Sequence, residues 1–586
     1  MDRSSRRLSI IVSFLVVALL MAGAAFFGDY YFDLNDDVLM KDILSGAYTG
    51  VPEPNNIQML YPISAFISLL YRLSSGQDWY GIFLCFLQYF CVFVISERVL
   101  SRCRDNTEKA VAAAMVFLFM AGVIGSHFLF VQYTFTCGLL SATAALLILT
   151  HEEKDKSLYL AVILVAVAYL LRSEMLLLTL PVVGVAILIK WAITRKDFWV
   201  YVRVLAAIVM VIAVSQGVHR IANMPADWKE FNHLFDERTE LYDFQYIPDY
   251  EENKEFYDSI GLSKSEQNLL VNYNFGLDDE INADILGAVA TYAAGIKTDE
   301  VPIPQLLKNS AHAYLYRLRH FGFQKSYQYP MSDFPWNLVA IVLYVFVIAA
   351  YFFPGKKSDR KEQMIPAGLL VTLFACRSVL WLFIIARGRD PIRITHPMYM
   401  MEIVALLGML LLKEGLDKRT LIIAFVVVAA ISAVSIPNQV SVINSEMEAR
   451  DKMRTHYDAL YDYFDDNEDN FYFIDVYTSV SCGEDMTEGE TTFSEKMFDR
   501  VDNSYAAHDL MGGWASKSPV YYRKIQRFGM DNMQDGLLMD NVFMVQNLSQ
   551  DTGWLSDYYS EKGIDVDISR VDIVADAFAV YSVRMK

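Results

Sequence analysis

The sequence has few of the features that mark an enzyme at a glance. Its 586 residues hold only six cysteines. Cys85, Cys91, Cys103, Cys137 and Cys376 fall in or beside apolar blocks and Cys482 is alone in the tail, so neither a disulfide framework nor zinc-ligand spacing can be assembled. There is no P-loop, no GxGxxG after a strand-like run, no HExxH and no GxSxG. Nucleotide-driven transport and standard serine hydrolase chemistry therefore have no motif. Internal repeats and low-complexity segments are lacking too. Charged residues are scarce, at 20% against about 25% in soluble domains, while hydrophobic residues reach 54%. Aromatic residues, at 14%, exclude a disordered chain.

What is present is a series of long apolar blocks separated by short charged patches, the mark of a polytopic membrane protein. Arg3, Arg6 and Arg7 precede the apolar run Leu8–Phe27. The alternative for this start is a cleaved signal peptide, since Ala22-Gly23-Ala24 resembles a cleavage site, but the run exceeds a usual signal h-region. With those arginines inside and the later Lys/Arg-rich loops kept inside, the spans are Asp78–Ile95, Ala110–Ile124, Phe128–Leu149, Leu158–Leu171, Leu176–Ile193, Phe198–Gly217, Asn337–Phe353, Met364–Ala386, Met398–Leu412 and Leu421–Ile436. The inner loops then carry Arg98 to Lys109, His151 to Lys156, Arg195 with Lys196, Lys356, Lys357, Arg360 and Lys361, and Lys413 to Arg419. That makes about eleven spans, an N-terminus in the cytoplasm and a C-terminus outside the plasma membrane. Counting Ile57–Leu73 as a further span inverts every later loop. It is laid instead along the outer surface with the short helix Asp36–Leu44, for which Asn35 is a suitable N-cap and Gly46 a suitable stop.

The expected fold class is an all-α polytopic membrane domain with an extracytoplasmic helical insert and a small C-terminal α/β or α+β domain. The organisation is 1–217, an N-terminal transmembrane module with an acidic first outer loop at 28–77; 218–335, a large outer loop; 336–436, a second transmembrane module; and 437–586, a soluble outer domain. Helical stretches are expected at Ser263–Val271 and Pro304–His320 in the insert. In the tail, Phe471–Val476, Val542–Gln546 and Ala575–Val583 are strand-like, and Met447–Phe464, Tyr521–Phe528 and Leu555–Lys562 are helix-like. Net charge is −19. From Pro437 onward there are 28 acidic and 13 basic side chains, a net of −15, which excludes nucleic acid as a partner for the tail.

Three clusters suggest chemistry. The first outer loop carries Asp29, Asp33, Asp36 and Asp37 directly after the first span. Dipole complementation explains any one of them, but a group of carboxylates at a bilayer surface can deprotonate a hydroxyl or hold a divalent ion. The second cluster is Arg387, Arg389 and Arg393 with His396, an outer loop whose arginines run against the positive-inside rule. Arg377 lies deep in the preceding span, where a charge is costly. Guanidinium suits phosphate. The bland alternatives are pairing with acids and snorkelling. The third is Arg172-Ser173-Glu174, either a local ion pair or an addition to the same anion site. His127 and His312 are read as structural. Asp509 to Trp514 forms a turn with an aromatic beside it; Trp faces bind sugars but more often pack on a core.

These residues resemble a GT-C superfamily membrane glycosyltransferase. The likeness rests on a first span followed by Asp33 and Asn35-Asp36-Asp37, two surface-lying segments, a late outer arginine loop and a soluble C-terminal domain. It covers about Met1–Ile436 as architecture. The resemblance implies a polyprenyl-phosphate-linked sugar donor, an acidic residue of the first outer loop as general base (Asp36 or Asp37, with Asp33 a third candidate), arginines on the lipid phosphate, and inversion at the sugar carbon. Arg172, Glu174, Arg377, Arg387, Arg389, Arg393 and His396 are the candidate substrate-binding residues. A divalent cation (Mg or Mn) between Asp33 and Asp37 is compatible with it, since some members use one and others do not. The acceptor would be a cell-envelope glycan, lipid or protein. Other classes that fit are a transporter or flippase for an anionic lipid or glycan, and a non-catalytic envelope scaffold.

Overall fold

The computed structural model describes residues 3–153, 155–323, 332–353, 360–482, 493–499 and 504–586. Lys154, Lys356 and Lys357, assigned above to inner loops, lie outside the described residues. Each apolar segment expected to cross contains a long helix, although Phe128–Leu149 is continuously helical only from Tyr133, after the short strand Phe130–Val131. The helix bounds are Arg3–Phe27, Trp79–Ser101, Asn106–Gly122, Tyr133–Leu149, Ser157–Leu171, Ser173–Thr194, Phe198–Ala222, Trp336–Phe352, Arg360–Ala386, Ile392–Leu412 and Lys418–Asp465. Among the described residues, 7 are long and apolar enough to cross a membrane, and Tyr133–Leu149, Ser157–Leu171 and Trp336–Phe352 are shorter apolar helices.

Tyr133–Leu149 is buried along its whole length, as a helix that is apolar all round must be. It packs against Trp79–Ser101, Ser157–Leu171, Ser173–Thr194 and Ile392–Leu412. Gly138 permits that close approach, because a Cβ there would lie 2.2 Å from Cβ of Pro397. The rim helices Arg3–Phe27 and Phe198–Ala222 expose Phe14, Leu19, Val209 and Met210, an apolar surface suited to lipid. The basic loops converge at one end of the bundle. Lys109 Nζ donates to the Ser5 carbonyl at 2.7 Å, Arg98 pairs with Asp155, Arg104 reaches the Leu416 carbonyl at 2.9 Å, and Lys190 reaches that of His151 at 2.8 Å.

The opposite end carries the acidic loop, the insert and the C-terminal domain. Asn35–Ser45 is helical and ends at Gly46, whose φ of 102° is left-handed and favours glycine. Leu34, not Asn35, occupies the N-cap, and no side chain caps the helix; Asn35 is already its first residue. Ile57–Leu73 is helical only from Tyr61. The 13 residues of Tyr61–Leu73 span about 20 Å, too short for a hydrocarbon core of about 30 Å. The insert runs through Ala226–Phe244, Lys254–Ile260, Lys264–Val271, Ala283–Glu300 and Ile303–Arg319. Ser263 caps its third helix through a full capping box with Glu266.

The last span and the helix expected at Met447–Phe464 form one helix of 48 residues, which continues through Pro437 into the C-terminal domain. Two sheets matter for position. β1 (Tyr31–Phe32) pairs in parallel with β2 (Phe130–Val131). The domain sheet has β3 (Phe471–Ile474), β4 (His508–Leu510), β5 (Val542–Asn547), β6 (Val566–Val574) and β7 (Phe578–Met585), in the order β4-β3-β5-β7-β6. β3 is parallel to β4 and β5; β7 is antiparallel to β5 and β6. Alternation sends Phe471, Phe473 and Met544 into one core and Tyr472, Ile474 and Val545 into another, so both sheet faces are covered. The first of these cores also takes Leu234, Leu241 and Phe275 from the insert and Ile43 and Tyr48 from the acidic segment. Insert, acidic helix and domain are thus locked by shared apolar burial. Gly512 of the domain lets the backbones meet, since a Cβ there would stand 1.9 Å from the Tyr273 carbonyl oxygen.

Candidate functional site

The acidic loop is fixed from both sides. On the bundle side, Asp33 N donates to the Val131 carbonyl at 2.9 Å, extending the β1–β2 pair. On the domain side, Tyr31 bridges antiparallel to Lys496, Phe32 N donates to the Glu495 carbonyl at 3.1 Å, and Lys41 pairs with Glu495. Arg450, on the long helix, crosses between them. Its Nη1 donates to the Phe32 carbonyl at 3.0 Å and its Nη2 lies 3.3 Å from the Asp33 carboxylate.

Asp36 and Asp37 fall in the first turn of Asn35–Ser45, about 100° apart around the axis, and so face different surroundings. Asp37 points into the bundle at 0% exposure. One oxygen accepts from Tyr80 Oη at 2.7 Å, and the other has no partner among the described residues. Burial pushes this carboxyl well above its usual range. The Tyr80 hydrogen bond counters that, and the charges of Asp36 and Asp33 add to it. Asp36 is half-buried and faces the domain, where it accepts from Trp514 Nε1 at 2.9 Å. Burial also raises Asp33, while Arg450 and Arg393 pull it back.

The guanidiniums divide into two sets. Arg172 donates to Gln58 Oε1 at 2.5 Å, pairs with Glu174 at 3.2 Å and lies 5.3 Å from the Tyr133 ring centre. The negative charges of Asp36 and Asp243 also act on it. Arg393, on the first turn of Ile392–Leu412, makes no hydrogen bond or ion pair among the described residues, and its charge is felt at Asp33. Charge interactions thus link Arg393 with Asp33 and Arg172 with Asp36 around the acidic helix. Glu174 stands exposed beside Arg172.

The other candidates have protein partners of their own. Arg377 is buried, bonded to Glu402 at 2.7 Å and to Tyr314 Oη at 2.6 Å, with the Tyr314, Trp381 and Tyr399 rings around it. Arg387 faces Glu240 at 3.6 Å and lies over the Phe244 ring. Arg389 bonds Asp243 at 2.9 Å. These last two tie the arginine loop to the insert helix Ala226–Phe244. His396 bonds His127 at 2.8 Å and stacks on Trp336.

Tyr80, Tyr133, Arg238 and Arg450 are site residues that the sequence reading missed. None has a local signal; each arrives by folding from a distant segment. Trp514 was noticed as an aromatic beside a turn, without its link to Asp36. Between the acidic helix, the insert and the domain lies a cavity of about 320 Å³, with Asp36, Tyr48, Arg238, Tyr273 and Trp514 in its wall. A second cleft, of about 930 Å³, opens at the basic end, lined by Arg98, Arg102, Asp155 and Lys190 among others.

Two solved structures are similar to this chain. They are ArnT from Cupriavidus metallidurans in the apo state, with a TM-score of 0.39, and the same protein bound to undecaprenyl phosphate, with a TM-score of 0.38; each is 11% identical and covers 97% of both chains. No family model matches the sequence, and no curated protein matches it. The order of parts expected from the GT-C resemblance is the order found here: first apolar helix, acidic loop, two short helices, helical bundle, C-terminal sheet domain.

A divalent ion between Asp33 and Asp37 does not fit these residues. Arg450 already brings positive charge to Asp33, and Asp37 turns to Tyr80. Among the described residues, the carboxylates close enough to share an ion are Glu266, Asp278 and Glu280. The Lys562 ammonium pairs with all three, at 2.7, 2.9 and 2.6 Å.

The Arg377–Glu402 pair yields a prediction. Arg377→Met leaves Glu402 buried without its counter-charge and should destabilise the protein by about 3–5 kcal/mol. Adding Glu402→Leu should restore most of the loss, as thermal unfolding in nanodiscs would measure. If Arg377 instead contacted substrate phosphate, the double variant would be stable yet inactive.

Proposed function

We propose that this chain is an integral membrane glycosyltransferase that moves a sugar from a polyprenyl-phosphate-linked donor to an acceptor at the membrane face carrying the C-terminal domain. What supports it is one observation: the charges of Arg393 and Arg172, far along the chain, act on Asp33 and Asp36 of the first loop. By the positive-inside rule the convergent basic loops would be cytoplasmic, and the site extracytoplasmic.

Asp36 accepts the proton of the acceptor hydroxyl. The acceptor oxygen forms a bond to the anomeric carbon as the bond from that carbon to the lipid phosphate breaks, with inversion. The departing phosphate takes the bonding electrons, and its growing charge falls to Arg393 and Arg172. Asp37, buried against Tyr80, is a positioning residue beneath the base.

The experiment is sugar transfer from polyprenyl-phosphate-linked donors by the purified full chain in nanodiscs. Release of free polyprenyl phosphate together with a glycosylated product is the expected result. The cleft at the basic end favours a second reading, a transporter for an anionic lipid or glycan, because it gives such a path a second mouth. Movement of intact donor lipid across the bilayer without bond cleavage would support that reading and reject the transferase.

A further inference from the structure

The cleft at the basic end of the bundle, opposite the acidic loop, has a charge balance of its own. Its walls come from Arg3–Phe27, Trp79–Ser101, Ser157–Leu171, Ser173–Thr194 and Phe198–Ala222, which leave about 930 Å³ between them. Six basic and five acidic side chains line it. Two of the cations are matched. Arg98 pairs with Glu97 at 3.3 Å and with Asp155, and Arg102 pairs with Glu152 at 3.2 Å. The other four, Arg6, Lys156, Lys190 and Lys196, make no ion pair among the described residues, and the acids that remain are Glu153 and Asp197, both exposed.

Lys190 carries the argument furthest. It is 5% exposed, and its ammonium, with three protons to donate, gives one to the His151 carbonyl at 2.8 Å. The charges that act on it are those of Arg102, Glu152 and Asp197, all in the cleft wall. A buried charge without a counter-charge at contact is costly, and an anion in the cleft would supply one.

The surroundings say which anion. Trp191, Phe198 and Trp199 stand exposed on either side of Lys196 and Asp197, with successive ring centres 5.3 and 5.4 Å apart. Such aromatics mark the headgroup level of a membrane. From there the helix faces that line the cleft run on as apolar stripes. Leu160 is followed one turn on by Ile163, 55% exposed, and Tyr201 by Leu205, 48% exposed. A soluble anion would use the cations and leave the stripes bare, whereas a lipid uses both. A zwitterionic headgroup brings its own ammonium to a wall already in excess of cations.

We infer that the cleft holds the phosphate headgroup of an anionic phospholipid, with Lys190 beneath the phosphate, Arg6, Lys156 and Lys196 around it, and acyl chains along Ile163 and Leu205. The site is independent of the transferase reading, because none of its residues belongs to the acidic loop or the C-terminal domain.

The test is native mass spectrometry of the full chain released from nanodiscs of phosphatidylcholine with a minor share of phosphatidylglycerol. Phosphatidylglycerol should stay bound well beyond its share. Lys190→Met, and separately Lys156→Gln with Lys196→Gln, should weaken its retention by about fivefold for each cation removed, with no fall in unfolding temperature in pure phosphatidylcholine. Arg419→Gln removes an exposed cation from the same end but outside the cleft, and should change nothing. Retention of the two lipids in proportion to their share, undiminished retention in both cleft variants, or an equal loss with Arg419→Gln overturns the site. Saturable binding of soluble glycerol 3-phosphate without any preference for phosphatidylglycerol overturns the lipid assignment in favour of a soluble anion.

Discussion

Asp36→Asn should lower the turnover of sugar transfer by about 10²–10⁴-fold, the range general-base catalysis contributes, without changing the unfolding temperature. The side chain keeps its shape and still accepts from Trp514 Nε1, so the contact between the acidic helix and the domain survives. What is lost is a carboxylate oxygen in the cavity wall that can take a proton. Asp37→Asn is the matched control and should behave differently. Asp37 is sealed from the cavity and bonded to Tyr80, so its amide should cost about tenfold or less. Its stability signature has the opposite sign. A carboxyl whose folded-state pKa is raised costs nothing below its unfolded-state pKa, and stability falls as pH rises from that value to the folded-state one. Asp37→Asn removes the cost, so its unfolding temperature should exceed that of the native protein at alkaline pH and converge on it in acid. A pH series of thermal unfolding checks this. Equal losses of activity in both variants would mean that the two carboxylates act as a unit and that Asp36 is not a lone base.

The contrast explains what the sequence could and could not disclose. Asp36 and Asp37 are adjacent and chemically identical in one dimension. Only the helical turn, with Tyr80 below and Trp514 above, separates their roles. Signals with a short period were legible. The apolar blocks became helices, Ser263 with Glu266 became a capping box, Gly46 ended the acidic helix, and the alternation at Phe471 and Val542 became β3 and β5. β6 was missed because its pattern is mostly exposed; Val566–Val574 is an edge strand carrying Asp567, Arg570 and Asp572. β4 is too short to carry a period. The continuity of Lys418–Asp465 was hidden by Pro437, a fair stop signal that helix packing overrode. The arginines show the same limit more sharply. A guanidinium in an unusual place reads alike whether it awaits a phosphate or already owns a carboxylate. Glu402, Glu240 and Asp243 stand beside Arg377, Arg387 and Arg389, and each comes from another segment of the chain.

Arg393 is the guanidinium those carboxylates left free, and its replacement carries the second large effect. Arg393→Ala should lower kcat/KM for the polyprenyl-phosphate-linked donor by about 10–10²-fold, since a hydrogen bond to a charged group contributes about 1.5–3 kcal/mol. The loss should appear in kcat as well as KM, because the leaving phosphate gains charge in the transition state and needs the cation most at that moment. Arg393→Lys should recover part of it, as a point charge without the bidentate fork. Stability should hardly change, for Arg393 bonds no protein group among the described residues whose loss would be felt. Arg387→Ala gives the comparison. That side chain is half-exposed against Glu240, so its removal should touch donor kinetics by less than about threefold, as befits a surface pair. Steady-state kinetics with donor varied at fixed acceptor would separate the two. A mere structural role for Arg393 predicts a falling unfolding temperature with unchanged kinetics per folded molecule, whereas contact with the donor phosphate predicts the converse, and a donor with an uncharged linkage in place of the phosphate should then slow the native protein more than the Arg393→Ala variant.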